Sequence, residues 1–272
     1  MADICVSLCA SHAPMMVAAP ESAPAAPRGA WFEAMAEMRT LVRGSGADVV
    51  VVVSNEHFTN FFLDAFPAVC FGVGDDHEGP VEPWLGIPRR SVPGHPALAM
   101  HLTRSVMTAG FDPAVAHRLR LDHGFMTVLH QVDPAGALPV VPIIQNCAID
   151  PMPSLARCYA LGQALGAAIA AYPDDLHVAL VGAGGLSHAV GTPEVGDIDA
   201  EFDRWFLSHL ERGDVAPVLD LPDDELALAG NGAHEIRSWL TVAGAAAPAR
   251  ARVLAYEPIV PWITGMGAVV FE

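Results

Sequence analysis

The sequence predicts an α/β fold, one domain over residues 1–272, with a central, largely parallel sheet flanked by helices and a site at the C-terminal edge of the strands. Three observations predict it. Residues 49–53 are consecutive valines, too few for a membrane span and too β-branched for a helix, so they read as a strand covered on both faces, as in the middle of a parallel sheet. Further short apolar runs alternate with stretches of helical length, the pattern of a layered α/β chain. The chain has 272 residues and is 52% hydrophobic, enough to bury a full core, and no repeat, low-complexity tract or clear linker divides it.

Residues 4–9 read as the first strand, and Ser11-His12-Ala13-Pro14 follows directly. Residues 21–29 are rich in Ala and Pro and read as a loop that could cover that first site loop. Residues 31–43 place Phe32, Met35, Met38, Leu41 and Val42 at helical spacing. The valine strand comes next and stops abruptly at Ser54-Asn55-Glu56-His57. An apolar, aromatic stretch then ends in a strand over 69–73, while 75–93, polar and Pro-rich with an exposed-looking Trp84, reads as a loop. A helix is expected over 96–109, a weak strand over 115–118, and a helix entered at Asp122-His123-Gly124 and running to Val132. Residues 138–145 read as strand, 155–172 as helix, and 176–182 as a strand that runs into Gly182-Ala183-Gly184-Gly185-Leu186-Ser187-His188. The glycines there allow close backbone approach, but the G-x-G-x-x-G spacing of a dinucleotide loop is absent. Helices are expected over 199–210 and 233–242, a short helical turn over 225–228, and strands over 252–259 and 268–271.

Composition excludes several function classes. The 14 basic residues are all arginine and stand against 31 acidic ones, for a net charge of −17, which should repel nucleic acid and anionic membranes. The absence of lysine rules out Schiff-base and P-loop chemistry within the chain. Five cysteines with no C-x-x-C pair argue against a disulfide framework or a zinc ribbon and read as reduced core thiols of a cytoplasmic protein. The N-terminal residues lack the basic start and apolar run of a signal peptide. The most membrane-like segment, 155–172, contains Arg157, Gln163 and several small residues and fits a buried helix.

Four histidines, His12, His57, His123 and His188, fall just after strands or at turns, where ligands collect in open α/β sheets. His77, His95, His101, His117, His130, His177 and His209 read as surface, capping or mid-element residues. Imidazoles at strand ends suggest a metal, and two histidines with one carboxylate leave open positions on an ion. Glu56 adjoins His57, but neighbours on an extended segment point opposite ways. Glu235 is the better carboxylate: it sits in a helical first turn, with Ile236 and Leu240 spaced to anchor that helix in the core. His234 lies about 100° around the helix and would not share the ion. As a bland alternative, Glu235 is a first-turn acid favoured by the helix dipole.

At these residues the chain resembles the class III extradiol ring-cleaving dioxygenases, the group of the protocatechuate 4,5-dioxygenase catalytic subunit and 2,3-dihydroxyphenylpropionate 1,2-dioxygenase. Ser11-His12-Ala13-Pro14 and Asn55-Glu56-His57, with Phe71-Gly72-Val73-Gly74 beyond, resemble the first two ligand motifs. Asp122-His123-Gly124 and Gly184-Gly185-Leu186-Ser187-His188 resemble the catalytic histidine motifs, and His234-Glu235-Ile236 with Trp239 the ligand-glutamate helix. Tyr256-Glu257-Pro258-Ile259 and Trp262-Ile263-Thr264-Gly265 are similar to the C-terminal end of the dihydroxyphenylpropionate enzymes. The resemblance implies Fe(2+) held by His12, His57 and Glu235, a catechol-type substrate and O2, and His123 and His188 as the catalytic pair. His188 is assigned as base towards substrate and His123 as the acid or oxygen-side partner, with the reverse left open; Asp122 either orients His123 or points away. A homo-oligomer is expected, and a separate small subunit is left open, since the protocatechuate enzymes use one as a lid and this chain contains no such domain. Two other readings stand beside this one. A zinc hydrolase could use the same two histidines and glutamate but gives no reason for His123 and His188, and a non-catalytic scaffold predicts loss of ligand positions that are all present.

Overall fold

In a computed structural model describing residues 1–272, the valine run forms β2 (Val49–Asn55), and every residue of it is buried. Val49, Val51 and Val53 join one core and Val50 and Val52 the other, as the two-residue period of a strand requires. The remaining strands are β1 (Asp3–Ala10), β3 (Val69–Gly72), β4 (Asp76–Gly79), β5 (Arg90–Pro93), β6 (Ala114–Ala116), β7 (Val140–Gln145), β8 (His177–Ala183), β9 (Ala251–Ile259) and β10 (Thr264–Phe271). The helices are α1 (Met15–Ala18), α2 (Ala25–Gly44), α3 (Pro96–Thr108), α4 (His123–Val132), α5 (Leu155–Ala170), α6 (Ala200–Arg212), α7 (Ala216–Leu219), α8 (Asp223–Leu226) and α9 (Ile236–Ala246). None of them is long and apolar enough to cross a membrane.

Eight strands form one sheet in the order β6-β3-β7-β2-β8-β1-β10-β9. Its centre, β7-β2-β8-β1, is parallel throughout. Antiparallel pairing enters only towards the edges, between β3 and β7, β1 and β10, and β10 and β9. Helices cover both faces: α2 and α4 pack on one through Trp31, Met35, Met38, Phe125 and Leu129, and α3, α5, α6 and α9 on the other through Leu102, Leu161, Phe206 and Trp239. The expected α/β architecture is therefore the observed one. Because β2, β8 and β1 are neighbours and run the same way, the loops that follow them leave from one edge of the sheet.

Three local expectations need correction. Residues 21–29 are not all loop: α2 begins at Ala25, with Pro27 in its first turn, where a missing N–H costs no helical hydrogen bond. Residues 75–93 contain the β4–β5 hairpin, paired Asp76↔Pro93 through Gly79↔Arg90; only alternate residues of β4 are buried and one of them is polar, so no apolar pattern announces it. The last strand begins at Thr264, not at 268, because Gly265 and Gly267, poor strand formers alone, pair with Pro258 and Tyr256 of β9.

His77 of this hairpin is fully buried, its Nδ1 accepting the Leu119 N–H at 3.1 Å while Nε2 has no partner. Burial pushes its pKa down to about 4. An unfolded histidine binds a proton below about 6.5, so the folded state takes up fewer protons between those limits. Stability attributable to His77 is thus present above pH 6.5 and lost as the pH falls towards 4. In urea titrations, His77→Asn, which keeps an acceptor for Leu119, is expected to show a shallower loss of unfolding free energy between pH 7 and 4.5 than the wild type, by about 1–3 kcal/mol. An unchanged slope would mean that other groups carry the acid sensitivity.

Candidate metal centre and flanking histidines

His12 lies just past β1 and His57 just past β2, on either side of β8 in the sheet. The loop carrying His12 is tied to β10, where Ser11 Oγ donates to the Gly265 carbonyl at 3.1 Å and accepts the Gly267 N–H at 2.9 Å. Thr127 of α4 donates to the His12 carbonyl at 3.2 Å. Glu56 turns away from the cluster, as its place beside His57 on an extended segment predicted, and caps its own loop by accepting the Asn60 N–H at 2.6 Å.

Glu235 ends a 3-10 turn (Asn231–Glu235) that runs into α9, with Ile236 and Leu240 both fully buried as anchors. Its carboxylate accepts the Gly185 N–H at 2.5 Å and the Asn55 amide at 3.0 Å. The approach to the β8 loop is close enough that a Cβ on Gly184, at φ 148°, would lie 2.9 Å from Glu235 Cβ. Glu235 stands 3.2 Å from His12 Nε2, 3.7 Å from His57 Nε2 and 3.7 Å from His188 Nε2. His234 faces elsewhere, its Nδ1 2.9 Å from the Arg237 guanidinium.

The imidazoles are oriented by their outer nitrogens. His57 Nδ1 donates to Asp122 at 3.1 Å, and its backbone N–H meets the same carboxylate at 3.2 Å. Asp122 also caps α4 through the Gly124 N–H at 2.9 Å. His123 Nδ1 lies 2.7 Å from Glu82, which takes the His123 backbone N–H as well at 3.0 Å. Asp122, a candidate for orienting His123, therefore serves His57, and Glu82 orients His123. The His57 and His123 rings stack at 4.0 Å between centroids. His188 Nδ1 donates to the Leu186 carbonyl at 2.9 Å, and its ring lies so close over Gly232 that a Cβ there would come within 2.1 Å of it. Each of His57, His123 and His188 thus has its Nδ1–H engaged; Nε2 is free on His123 and His188, while that of His57 lies 2.9 Å from the Asn55 amide.

The electrostatics favour a cation. Burial alone would raise the Glu235 carboxyl, but the nearby imidazoles of His12 and His188, with hydrogen bonds from His12 and His57, hold it well below its usual range. Burial depresses His12, partly offset by Glu235. Burial also opposes charge on His57, yet Asp122 and then Glu235 lift it to about 10. A metal ion taken up here would replace the proton on His57, since a ligating imidazole must be neutral.

The donor set fits such an ion. Two donors each about 2.1 Å from a metal lie about 3.0 Å apart at right angles and 3.4 Å apart in a tetrahedron. The separation of 3.2 Å from one Glu235 oxygen to His12 falls in that range, and that of 3.7 Å from the other oxygen to His57 is slightly wider. The ring nitrogens of His12, His57 and His123 also lie within 4.8 Å of one another, so three histidines form a second candidate set. The structure thus brings His12, His57, His123, His188 and Glu235 to one edge of the sheet. Glu82 was missed by sequence reasoning: it stands in a polar, Pro-rich stretch with no spacing that marks it. Asp122→Ala is expected to weaken metal binding about 10- to 100-fold while sparing the fold, because His57 loses the partner that fixes its ring and raises its basicity; a competition titration with a chelator reads this, and unchanged affinity would remove Asp122 from that role.

Residues 6–267 match the LigB family, described as the catalytic LigB subunit of aromatic ring-opening dioxygenase. Proteins named 2,3-dihydroxyphenylpropionate/2,3-dihydroxicinnamic acid 1,2-dioxygenase from Cupriavidus necator and Cupriavidus pinatubonensis are each 30% identical, over 94% of this chain and 95% of theirs. One of the same name from Pseudomonas putida is 29% identical over 87% of this chain and 89% of its own. A crystal structure of an uncharacterized protein, JW3007 from Escherichia coli K12, shares the fold with a TM-score of 0.63 and 19% identity, covering 88% of this chain and 92% of that one. The resemblance carried by the histidine and glutamate motifs is borne out over nearly the whole length. The chain belongs to the LigB family of aromatic ring-opening dioxygenases, and its clustered histidines and glutamate lie where its central parallel strands end.

Proposed function

We propose that this protein is an Fe(II)-dependent extradiol dioxygenase that opens a catechol-type ring beside its diol with O2, both oxygen atoms entering the product, in the breakdown of aromatic compounds. One observation carries the reading: the donor atoms of His12, His57 and Glu235 converge, while His123 and His188 stand beside them with Nε2 uncommitted. His12, His57 and Glu235 would hold the ion. Bound there with open positions, Fe(II) supplies a meeting point at which catechol and O2 can exchange electrons.

The chain's own residues supply the proton handling. His188, locked as the Nδ1–H tautomer by Leu186, presents an Nε2 lone pair towards the cluster and takes the catechol proton. His123 has Glu82 on its Nδ1, which fixes the ring and leaves Nε2 facing the cluster; this suits it to pass a proton on the oxygen side. Keeping His123 out of the ligand set fits this role and favours Glu235 as the third ligand. The five free cysteines fit a reducing, cytoplasmic setting, and a homo-oligomer, with or without a small separate subunit, remains the expected assembly.

The test is to purify the chain without oxygen, load it with Fe(II) and ascorbate, and follow O2 uptake with catechol, 2,3-dihydroxyphenylpropionate, protocatechuate and gallate. Equimolar O2 consumption with at least one diol, dependent on Fe(II), supports the reading. No uptake across the panel, or a hydrolytic activity that appears only with Zn(II), overturns it.

A further inference from the structure

We propose that Asp203 is a positioning residue for His188, acting through Ser187 with Tyr256 as its second support; this rests on the base role given to His188 above. Asp203 lies on α6 and is fully buried. Its Oδ1 accepts the Ser187 N–H at 2.8 Å, and its Oδ2 accepts the Ser187 hydroxyl at 2.7 Å and the Tyr256 hydroxyl of β9 at 2.8 Å. Ser187 directly precedes His188. Its carbonyl accepts the Gly265 N–H at 2.9 Å, and the Leu186 N–H donates to the Gly265 carbonyl at 3.0 Å. The segment 186–188 is therefore held from two sides, by β10 through backbone and by α6 through one carboxylate.

Burying that carboxylate is costly, and no arginine or histidine pairs with it; three donors alone compensate. An apolar residue would fill this place on α6 at lower cost if packing were its only task. The other end of the arrangement explains the carboxylate. The His188 ring has one protein hydrogen bond, to Leu186 of the same loop, so its aim at Glu235 follows the backbone of 186–188. Tying both donors of Ser187, its N–H and its hydroxyl, to Asp203 fixes that backbone and leaves His188 Nε2 free.

The experiment compares Asp203→Ala, Asp203→Asn and Tyr256→Phe in the full chain, loaded with Fe(II). Asp203→Ala should keep wild-type metal content and a catechol KM within about threefold, while kcat falls about 30- to 100-fold, the scale of loss when a reacting group is misplaced by an ångström. Asp203→Asn, whose carbonyl can still accept the Ser187 N–H, should recover to within about fivefold of wild type, and Tyr256→Phe should lose less than Asp203→Ala. A second readout needs no turnover. In histidine-ring NMR spectra of the metal-free chain, the His188 signals should shift or split in Asp203→Ala and return in Asp203→Asn, while those of His12 and His57 stay in place. Should the chain open no catechol at all, the function proposed above fails, and the NMR comparison still decides the part played by Asp203. Unchanged His188 signals in Asp203→Ala, or a kcat loss that Asp203→Asn does not relieve, overturns the proposal. If Asp203→Ala does not fold, Tyr256→Phe and Asp203→Asn decide it: both unaltered in kcat and in His188 signals overturns it, and a kcat loss with displaced His188 signals in Tyr256→Phe supports it.

Discussion

Glu235→Ala is expected to yield a folded protein that retains no metal and opens no ring. Glu235 is the one carboxylate whose oxygens lie within 4 Å of His12, His57 and His188 together. Without it, two neutral imidazoles remain, and the ion loses both a donor and a countercharge in a buried site, so affinity should fall by about 10³-fold or more, beyond the 10- to 100-fold typical of outer partners. The change has a structural cost as well, because the buried Gly185 N–H loses its acceptor, about 1–3 kcal/mol, while the Asn55 amide keeps its contact with His57 Nε2. Two measurements separate these effects. Metal per chain after gel filtration reads the ligand role directly. Melting with and without added Fe(II) reads it by linkage: the wild type gains stability as the ion binds the native state, and the variant gains none. Normal metal content in Glu235→Ala, together with its loss in His123→Ala, would establish the three-histidine set in place of two histidines and a glutamate.

His188→Ala should do the opposite, keeping the metal and losing turnover. The ring contributes no donor to the proposed set, so metal per chain stays at the wild-type level. Loss of a positioned acid–base group costs about 10²- to 10⁴-fold in kcat. KM for the catechol should change far less, because in the proposed function the ion, not His188, would hold the diol. The same logic applies to His123→Ala, and replacing its partner Glu82 should give a milder version of that loss. A His188→Ala variant that turns over normally would shift the base role to His123 and would remove the ground for giving Asp203 a part in catalysis.

Much of this centre was legible in the sequence because strand ends are legible. A β-branched run such as residues 49–53 can only be a core strand, and the polar residues that follow it must lie at the edge of the sheet. The same reasoning reached His12 and His188 from the ends of β1 and β8, and Glu235 from the helix whose apolar face anchors it. The orientation of each ring was not legible. Asp122 adjoins His123 in the chain but bonds to His57, while His123 bonds to Glu82, 41 positions away. Sequence neighbours at a turn diverge, and partners from different loops meet only when the sheet sets their distance.

By itself, then, the amino-acid order determined the central strands and the longer helices, and that its histidines gather with one glutamate at a sheet edge, since periodicity and β-branching act locally. The strand order β2-β8-β1, which carries the His12, His57 and His188 loops to neighbouring positions, was decided by tertiary packing. So were the β4–β5 hairpin that brings up Glu82 and the buried Asp203 that grips Ser187 from α6. These depend on contacts between residues far apart in the chain, whose energy comes from burial and hydrogen bonds that form only once the two cores have closed on the sheet.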